Sequence, residues 1–247
     1  LEGILNSNLS NWGTELVNGI ASWIEYQRTI SFTRIPEGAV QLIVEGILQS
    51  NSGRNERIYK VENNYPVKLD NDKFADIAFW LSKEEENPCG LIEKKVVTSA
   101  AGKKKRSKKK AIIEDVIKLA RFSKQDNNAK CYLLLVGEYD GIAKIIVVAK
   151  IEKNGIYHLL KYDGDIEQKI NGWRSKKQII IDDGIKEIKN LDLTVFENGD
   201  KISAKLSKKS VAGLRVQDNE GKQKYRTCAL LWEVTYTASK FNSKEKI

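Results

Sequence analysis

At 247 residues with 41% hydrophobic side chains, the chain is long enough to bury an ordinary core. Its formal charge of +9 points to a polyanionic partner such as nucleic acid, and a single histidine, His158, excludes histidine triads and imidazole metal clusters. No apolar run approaches the roughly 20 residues of a membrane-spanning helix and no leader pattern opens the chain, so an intracellular, cytoplasmic protein is expected.

Residues 10 to 28, "SNWGTELVNGIASWIEYQR", place Trp12, Leu16, Ile20, Trp23 and Ile24 on one side, which predicts an amphipathic helix capped by Ser10 or Asn11. A second helix is predicted over 36 to 50, with Pro36 in its first turn and Val40, Ile43, Val44, Ile47 and Leu48 as its apolar stripe. Next come a strand in "RIYKVENNYPVKL", broken near Pro66, and two strands, "FADIAFWL" and "GLIEKKVV", joined by an acidic connector. A helix is predicted over 111 to 122, and "CYLLLVG" reads as a strand buried on both faces. From 142 to 236 the chain is mostly β-like: "AKIIVVAKI", equally readable as a helix, then "IYHLLKY", "QIIID", "LDLTVF", "KISAKL", "VAGLRV" and "YRTCALLWEVTY". No linker separates the halves, so one domain with a β-rich C-terminal elaboration is expected. The cysteines Cys89, Cys131 and Cys228 lack the paired spacing of zinc sites and are read as reduced, structural thiols.

The two strands "FADIAFWL" and "GLIEKKVV" carry charges that an apolar run should reject. Alternation puts Glu93 and Lys95 on one face of their strand and Lys94 on the other. The short connector predicts a hairpin that brings Asp76 near Glu93. Two carboxylates converging at a sheet edge repel unless a cation lies between them, and Mg²⁺ prefers such hard oxygen ligands. Such a site can hydrolyse phosphodiesters, with the Lys95 ammonium orienting water or balancing charge. Glu-x-Lys occurs at 93–95, 167–169, 187–189 and 220–222, so the tripeptide alone carries nothing. Three things separate the first: its apolar strand, an Asp in the apolar strand before it, and an earlier apolar helix bearing Glu45. The bland reading is a hairpin with one solvated face and ordinary surface charges. Asp182 and Asp183 beside Glu187 and Lys189 form a competing group without the second strand or the helix.

The order Glu45 on a helix, Asp76 in "FADIAFW", "GLIEKKVV", the helix "IIEDVIKLARF" and the strand "CYLLLVG" resembles the core of the PD-(D/E)XK nuclease superfamily, the fold of many restriction endonucleases. The likeness covers about residues 36–137, between a helical segment at about 10–35 and the elaboration at about 138–247. It implies an α/β fold with a mixed central sheet flanked by helices. It also implies a Mg²⁺-dependent DNA endonuclease, a type II-like restriction or other defence nuclease, in which Mn²⁺ can replace Mg²⁺. Metal ligation would fall on Asp76, Glu93, the carbonyl of Lys94 and Glu45, and assistance to the attacking water on Lys95. Ala75 stands where the motif has Pro. Lys94 stands where the middle residue is usually apolar, so either that side of the strand is open or Lys94 snorkels to solvent. Glu45 has the alternative of a plain helix-surface charge, and Glu62 is a weaker candidate for the same area.

Seven basic residues lie in "KKKRSKKK": Lys103, Lys104, Lys105, Arg106, Lys108, Lys109 and Lys110. Between the proposed catalytic strand and the next helix, they form a cationic loop that can embrace phosphates, or else a solvated loop. Arg174, Lys176 and Lys177 in "NGWRSKKQ" add to the proposed nucleic-acid contacts. Two-fold symmetric cutting of DNA would suit a homodimer. A nuclease-fold DNA-binding module without catalysis, or a protein-interaction domain, remains the alternative.

Overall fold

The computed structural model describes residues 2–30, 35–50, 58–66, 74–97, 105–126, 129–147, 177–183, 193–217, 219, 221 and 223–239. In chain order these form α1 (Glu2–Ile30), α2 (Glu37–Ser50), β1 (Lys60–Pro66), β2 (Phe74–Trp80), β3 (Gly90–Val97), α3 (Lys105–Gln125), β4 (Lys130–Glu138) and α4 (Tyr139–Val147). The C-terminal part contributes β5 (Lys177–Ile180), β6 (Lys201–Ala212), β7 (Arg215–Gln217), β8 (Gln223–Tyr225) and β9 (Thr227–Thr237). Seven strands make one sheet in the order β1-β2-β3-β4-β9-β6-β5, and β7 and β8 form a small ribbon. β3 and β4 are parallel, with α3 between them in sequence, and the other neighbouring pairs in the sheet are antiparallel. The protein is therefore an α/β fold with a mixed sheet flanked by helices, and its C-terminal strands continue the sheet that the N-terminal half begins.

Alternation along the strands builds two cores. Leu133 and Leu135 of β4, Leu91 of β3 and Leu230 and Trp232 of β9 meet Ile112, Val116 and Leu119 of α3. Leu134 and Val136 of β4, Ile92 of β3 and Leu231 of β9 meet Leu16, Ile20 and Ile24 of α1 and Val40, Val44 and Leu48 of α2. Burying each such side chain contributes about 1.5–3 kcal/mol, so the unbroken apolar run of β4 is what a strand covered on both faces requires. Trp12 sets its ring edge-on to Phe79 at 5.2 Å and Tyr132 at 5.0 Å, fastening α1 across β2 and β4. Among the described residues no helix is long and apolar enough to cross a membrane, and all three cysteines are unpaired thiols.

Several elements differ from expectation. α1 begins at Glu2, so Ser10 and Asn11 are interior positions of the helix and not its N-terminus; each costs a helix interior only about half a kcal/mol, too little to stop it. "AKIIVVAKI" is helical as far as Val147, because Tyr139, Ile142 and Ala143, spaced i, i+3 and i+4, turn one face into the α3-side core. From Leu193 to Asp200 the chain makes turns where "LDLTVF" predicted a strand: Phe196 N donates to Leu193 O, and Asp200 N to Glu197 O. "VAGLRV" divides at Gly213 between the end of β6 and β7. α3 starts at Lys105, which makes Lys105, Arg106, Lys108, Lys109 and Lys110 residues of its first turns rather than of a loop. Lys103, Lys104, His158 with "IYHLLKY", Arg174, Lys176 and the Glu187–Lys189 group lie outside the described residues, and Lys177 opens β5.

The C-terminal end of α3 is fastened to the turns before β6. Asp200, 1% exposed, accepts hydrogen bonds from Glu197 N, Ser239 N and Tyr236 Oη, each at 2.9 Å. Lys124 Nζ reaches the same carboxylate at 3.5 Å and donates to Val195 O at 2.7 Å. Burial alone would raise the Asp200 pKa, but the donors and Lys124 hold it below its ordinary value.

Where β4 leaves β3, Gly137 adopts φ +139°, and a Cβ there would stand 2.0 Å from the Val97 carbonyl oxygen. Both the left-handed backbone and the close approach of the Val97 backbone demand glycine. Gly137→Ala is expected to lose about 3 kcal/mol or more of stability in urea unfolding; a loss within about 0.5 kcal/mol would contradict this packing.

Candidate active site

The expected hairpin forms, and its register decides which charges meet. Ala78 faces Leu91 and Ile77 faces Ile92 across β2 and β3, the first pair toward α3 and the second toward α1 and α2. One step further Asp76 stands opposite Glu93 on the α3 side, where the strands part and side chains replace the backbone ladder. Asp76 N donates to Glu93 Oε1 at 3.3 Å, and Lys94 N donates to Asp76 Oδ2 at 2.8 Å. Each carboxylate thus accepts from the opposite strand's backbone, satisfying amides that the separating strands would leave unpaired.

α3 closes this corner with two charges. Lys118 Nζ lies 2.7 Å from Glu93 Oε1 and 4.0 Å from Asp115 Oδ1, and it donates to Phe74 O at 2.8 Å. Lys95 Nζ stands 3.0 Å from Asp115 Oδ2, an ion pair short of a directed hydrogen bond. Lys94 Nζ is 3.7 Å from Asp76 Oδ2. Three carboxylates and three ammonium groups therefore occupy one corner, with Glu93 1%, Lys94 4% and Asp115 8% exposed. Such burial is a poor source of stability, because desolvating the ions costs about what their attraction returns. Concentrated here, where two strands part, it makes this corner the candidate functional site.

Burial pushes the Glu93 carboxyl up, to about 8, against the opposing pull of Lys118 and with help from Asp115 and Asp76. Asp115 is raised for the same reason, despite Lys95 and Lys118. For Lys95 burial acts downward, but Asp115, Asp76 and Glu93 outweigh it and raise the ammonium above its ordinary value.

Glu93 and Lys95 share the face that alternation predicts, and Asp76 joins them. Lys94 corrects both alternatives offered by the sequence: its side is closed and its ammonium turns back to Asp76 instead of reaching solvent, since that carboxylate compensates the charge within the length of the stem. Glu45 does not converge with Asp76 and Glu93; it sits on α2, which packs on the other face of the sheet, with Oε1 buried and lacking a hydrogen-bond partner. Glu62 pairs instead with Lys60 of its own strand at 2.7 Å. Among the described residues no three acidic, histidine or cysteine side chains are disposed to hold one metal ion. Asp115 and Lys118 escaped the sequence reading, although a signal exists: Asp115 lies three residues after Ile112 and four before Leu119, on the stripe that is otherwise apolar.

Comparison with family models, with curated proteins and with solved structures gives no significant match for this chain.

The raised Glu93 pKa fixes a sign. The folded protein releases this proton at higher pH than the unfolded chain, so the group's stabilisation is full at low pH and lost as pH rises through the raised value, above which the carboxylate is balanced by Lys118. In metal-free buffer the stability of Glu93→Gln relative to wild type, followed by thermal unfolding, is therefore expected to improve steadily as pH rises through the raised value. A difference independent of pH would refute the buried, proton-binding carboxylate.

Proposed function

We propose that the protein is a Mg²⁺-dependent DNA endonuclease, and more narrowly a restriction or other defence nuclease. The observation that carries this reading is the opposition of Asp76 and Glu93 across β2 and β3, with Lys95 two residues on along the same face. This is the disposition of acids and lysine implied by the resemblance to the PD-(D/E)XK superfamily. The donors suit the ion, since Asp76 and Glu93 offer hard carboxylate oxygens and Glu93 is too deeply buried to carry its charge without a cation beside it.

Asp76 and Glu93 would hold the metal, with the Lys94 carbonyl as a further oxygen; Glu45, carried by α2 on the other face of the sheet, is not among these ligands. Bound Mg²⁺ supplies charge stabilisation at the phosphate and a lowered pKa for water. The chain supplies position. Lys95 presents an ammonium that orients the attacking water or balances developing negative charge, and Asp115 fixes that ammonium from α3. Closing the corner with α3 excludes bulk water, which strengthens each of these interactions.

DNA as the substrate is supported by the start of α3. Its first turn contains no acidic residue, while Lys105, Arg106, Lys108, Lys109 and Lys110 crowd the positive end of the helix dipole. That arrangement costs free energy by itself, and a phosphate backbone laid against it removes the cost. Lys103, Lys104, Arg174, Lys176 and Lys177 extend the same proposal in sequence, and a homodimer would supply two sites for two strands. A second reading, a DNA-binding module without catalysis, draws on one observation: Lys118 already neutralises Glu93.

Incubating plasmid and linear DNA with Mg²⁺, Mn²⁺ or EDTA separates the readings. Metal-dependent cutting is expected from wild type, with Asp76→Ala and Lys95→Ala each slower by about 100-fold or more while remaining folded. Cutting by Asp76→Ala at the wild-type rate would end the assignment, and salt-sensitive binding without cutting would favour the binding module. Neutralising Lys105, Arg106, Lys108, Lys109 and Lys110 is expected to flatten the dependence of log affinity on log salt by roughly one unit for each phosphate that is no longer neutralised; an unchanged slope would remove α3 from the DNA interface.

A further inference from the structure

Lys118 differs from the other two lysines of the corner in where it comes from. Lys94 and Lys95 are carried by β3 itself, beside Glu93, whereas Lys118 reaches in from α3, one turn beyond Asp115. Its ammonium is surrounded by oxygen much as a bound ion would be: Glu93 Oε1 at 2.7 Å, the Phe74 carbonyl at 2.8 Å and Asp115 Oδ1 at 4.0 Å. The side chain is 16% exposed, so its stem has a way out to solvent, while the Glu93 carboxylate it neutralises is almost wholly enclosed.

A divalent ion held by Asp76 and Glu93 would share the Glu93 carboxylate with the Lys118 ammonium, which already sits on its Oε1. Two cations on one buried carboxylate repel strongly in a site of low polarisability, and an ammonium on a flexible four-carbon stem can withdraw where the metal ion cannot. We infer that Lys118 is the internal counter-cation of the candidate site, balancing Glu93 in the metal-free protein and competing with the divalent ion for it. The inference rests on the nuclease reading and adds a residue outside the motif that positions its acid and sets its metal affinity. Asp115 completes the arrangement, because it faces both Lys95 and Lys118 and remains beside the corner when Lys118 withdraws.

Binding of Mn²⁺ to the full chain, followed by the paramagnetic resonance of the free ion, tests this without requiring turnover. Lys118→Met is expected to bind Mn²⁺ about tenfold tighter than wild type, the scale on which groups around a metal's ligands act. Lys118→Arg, which keeps the charge, is expected to stay near wild type, and Glu93→Gln to lose binding. If Lys118→Met unfolds, Lys118→Gln serves, since its amide can still donate to the Phe74 carbonyl without the positive charge. Wild-type binding that disappears in Glu93→Gln, combined with equal or weaker binding in the neutral Lys118 variants, overturns the counter-cation and leaves the nuclease reading standing. Absence of binding in wild type and in the neutral Lys118 variants alike overturns both.

Discussion

The constraint on which this structure turns is the meeting of two carboxylates, Asp76 and Glu93, inside a sheet at the point where its strands separate. An antiparallel ladder that simply stopped there would leave amides unpaired in a buried place. Here each acid accepts from the opposite backbone, so the charges help to end the hairpin as well as to occupy it. The negative charge thus concentrated has to be balanced from nearby, and Lys94, Lys95 and Lys118 converge to do it. A sequence selected only for stability would fill such a corner with apolar side chains, because buried ions gain little over them.

α3 is the element that makes the corner workable. Its apolar stripe covers one face of β3, β4 and β9, and the same stripe delivers Asp115 and Lys118 to the acids. At its far end Lys124 and the buried Asp200 tie it to the turns before β6 and to the end of β9. The helix is therefore held at both ends of its buried face. This gives a physical link between the C-terminal strands and the candidate site: β9 and β6 form part of the bed on which α3 lies.

Much of the corner was legible because strand geometry has a period of two. From that period alone, Glu93 and Lys95 had to share a face, and a short connector had to return Asp76 toward them. The helices α2 and α3 were legible from their stripes, although α3 was read only from residue 111, because a lysine-rich beginning shows no apolar period. Glu45 misled for a related reason. Helical spacing can place a carboxylate beside an apolar stripe, but the sheet face that the stripe covers is a tertiary matter, and α2 covers the face away from Glu93. Turns at 193–200 were hidden because Leu193 and Phe196 bury themselves from turns as readily as from a strand.

The sequence by itself determined the hairpin, the sidedness of its charges, the two-faced burial of β4 and the basic excess, since each follows from local period or from composition. Only the tertiary structure decided that Lys94 turns back on Asp76, that Asp115 and Lys118 belong with the acids, and that the C-terminal strands extend the same sheet. Those outcomes depend on which residues, distant in the chain, come within a few ångströms of one another. No local pattern encodes that distance, because it is set by how the faces of α3 and the sheet are packed together.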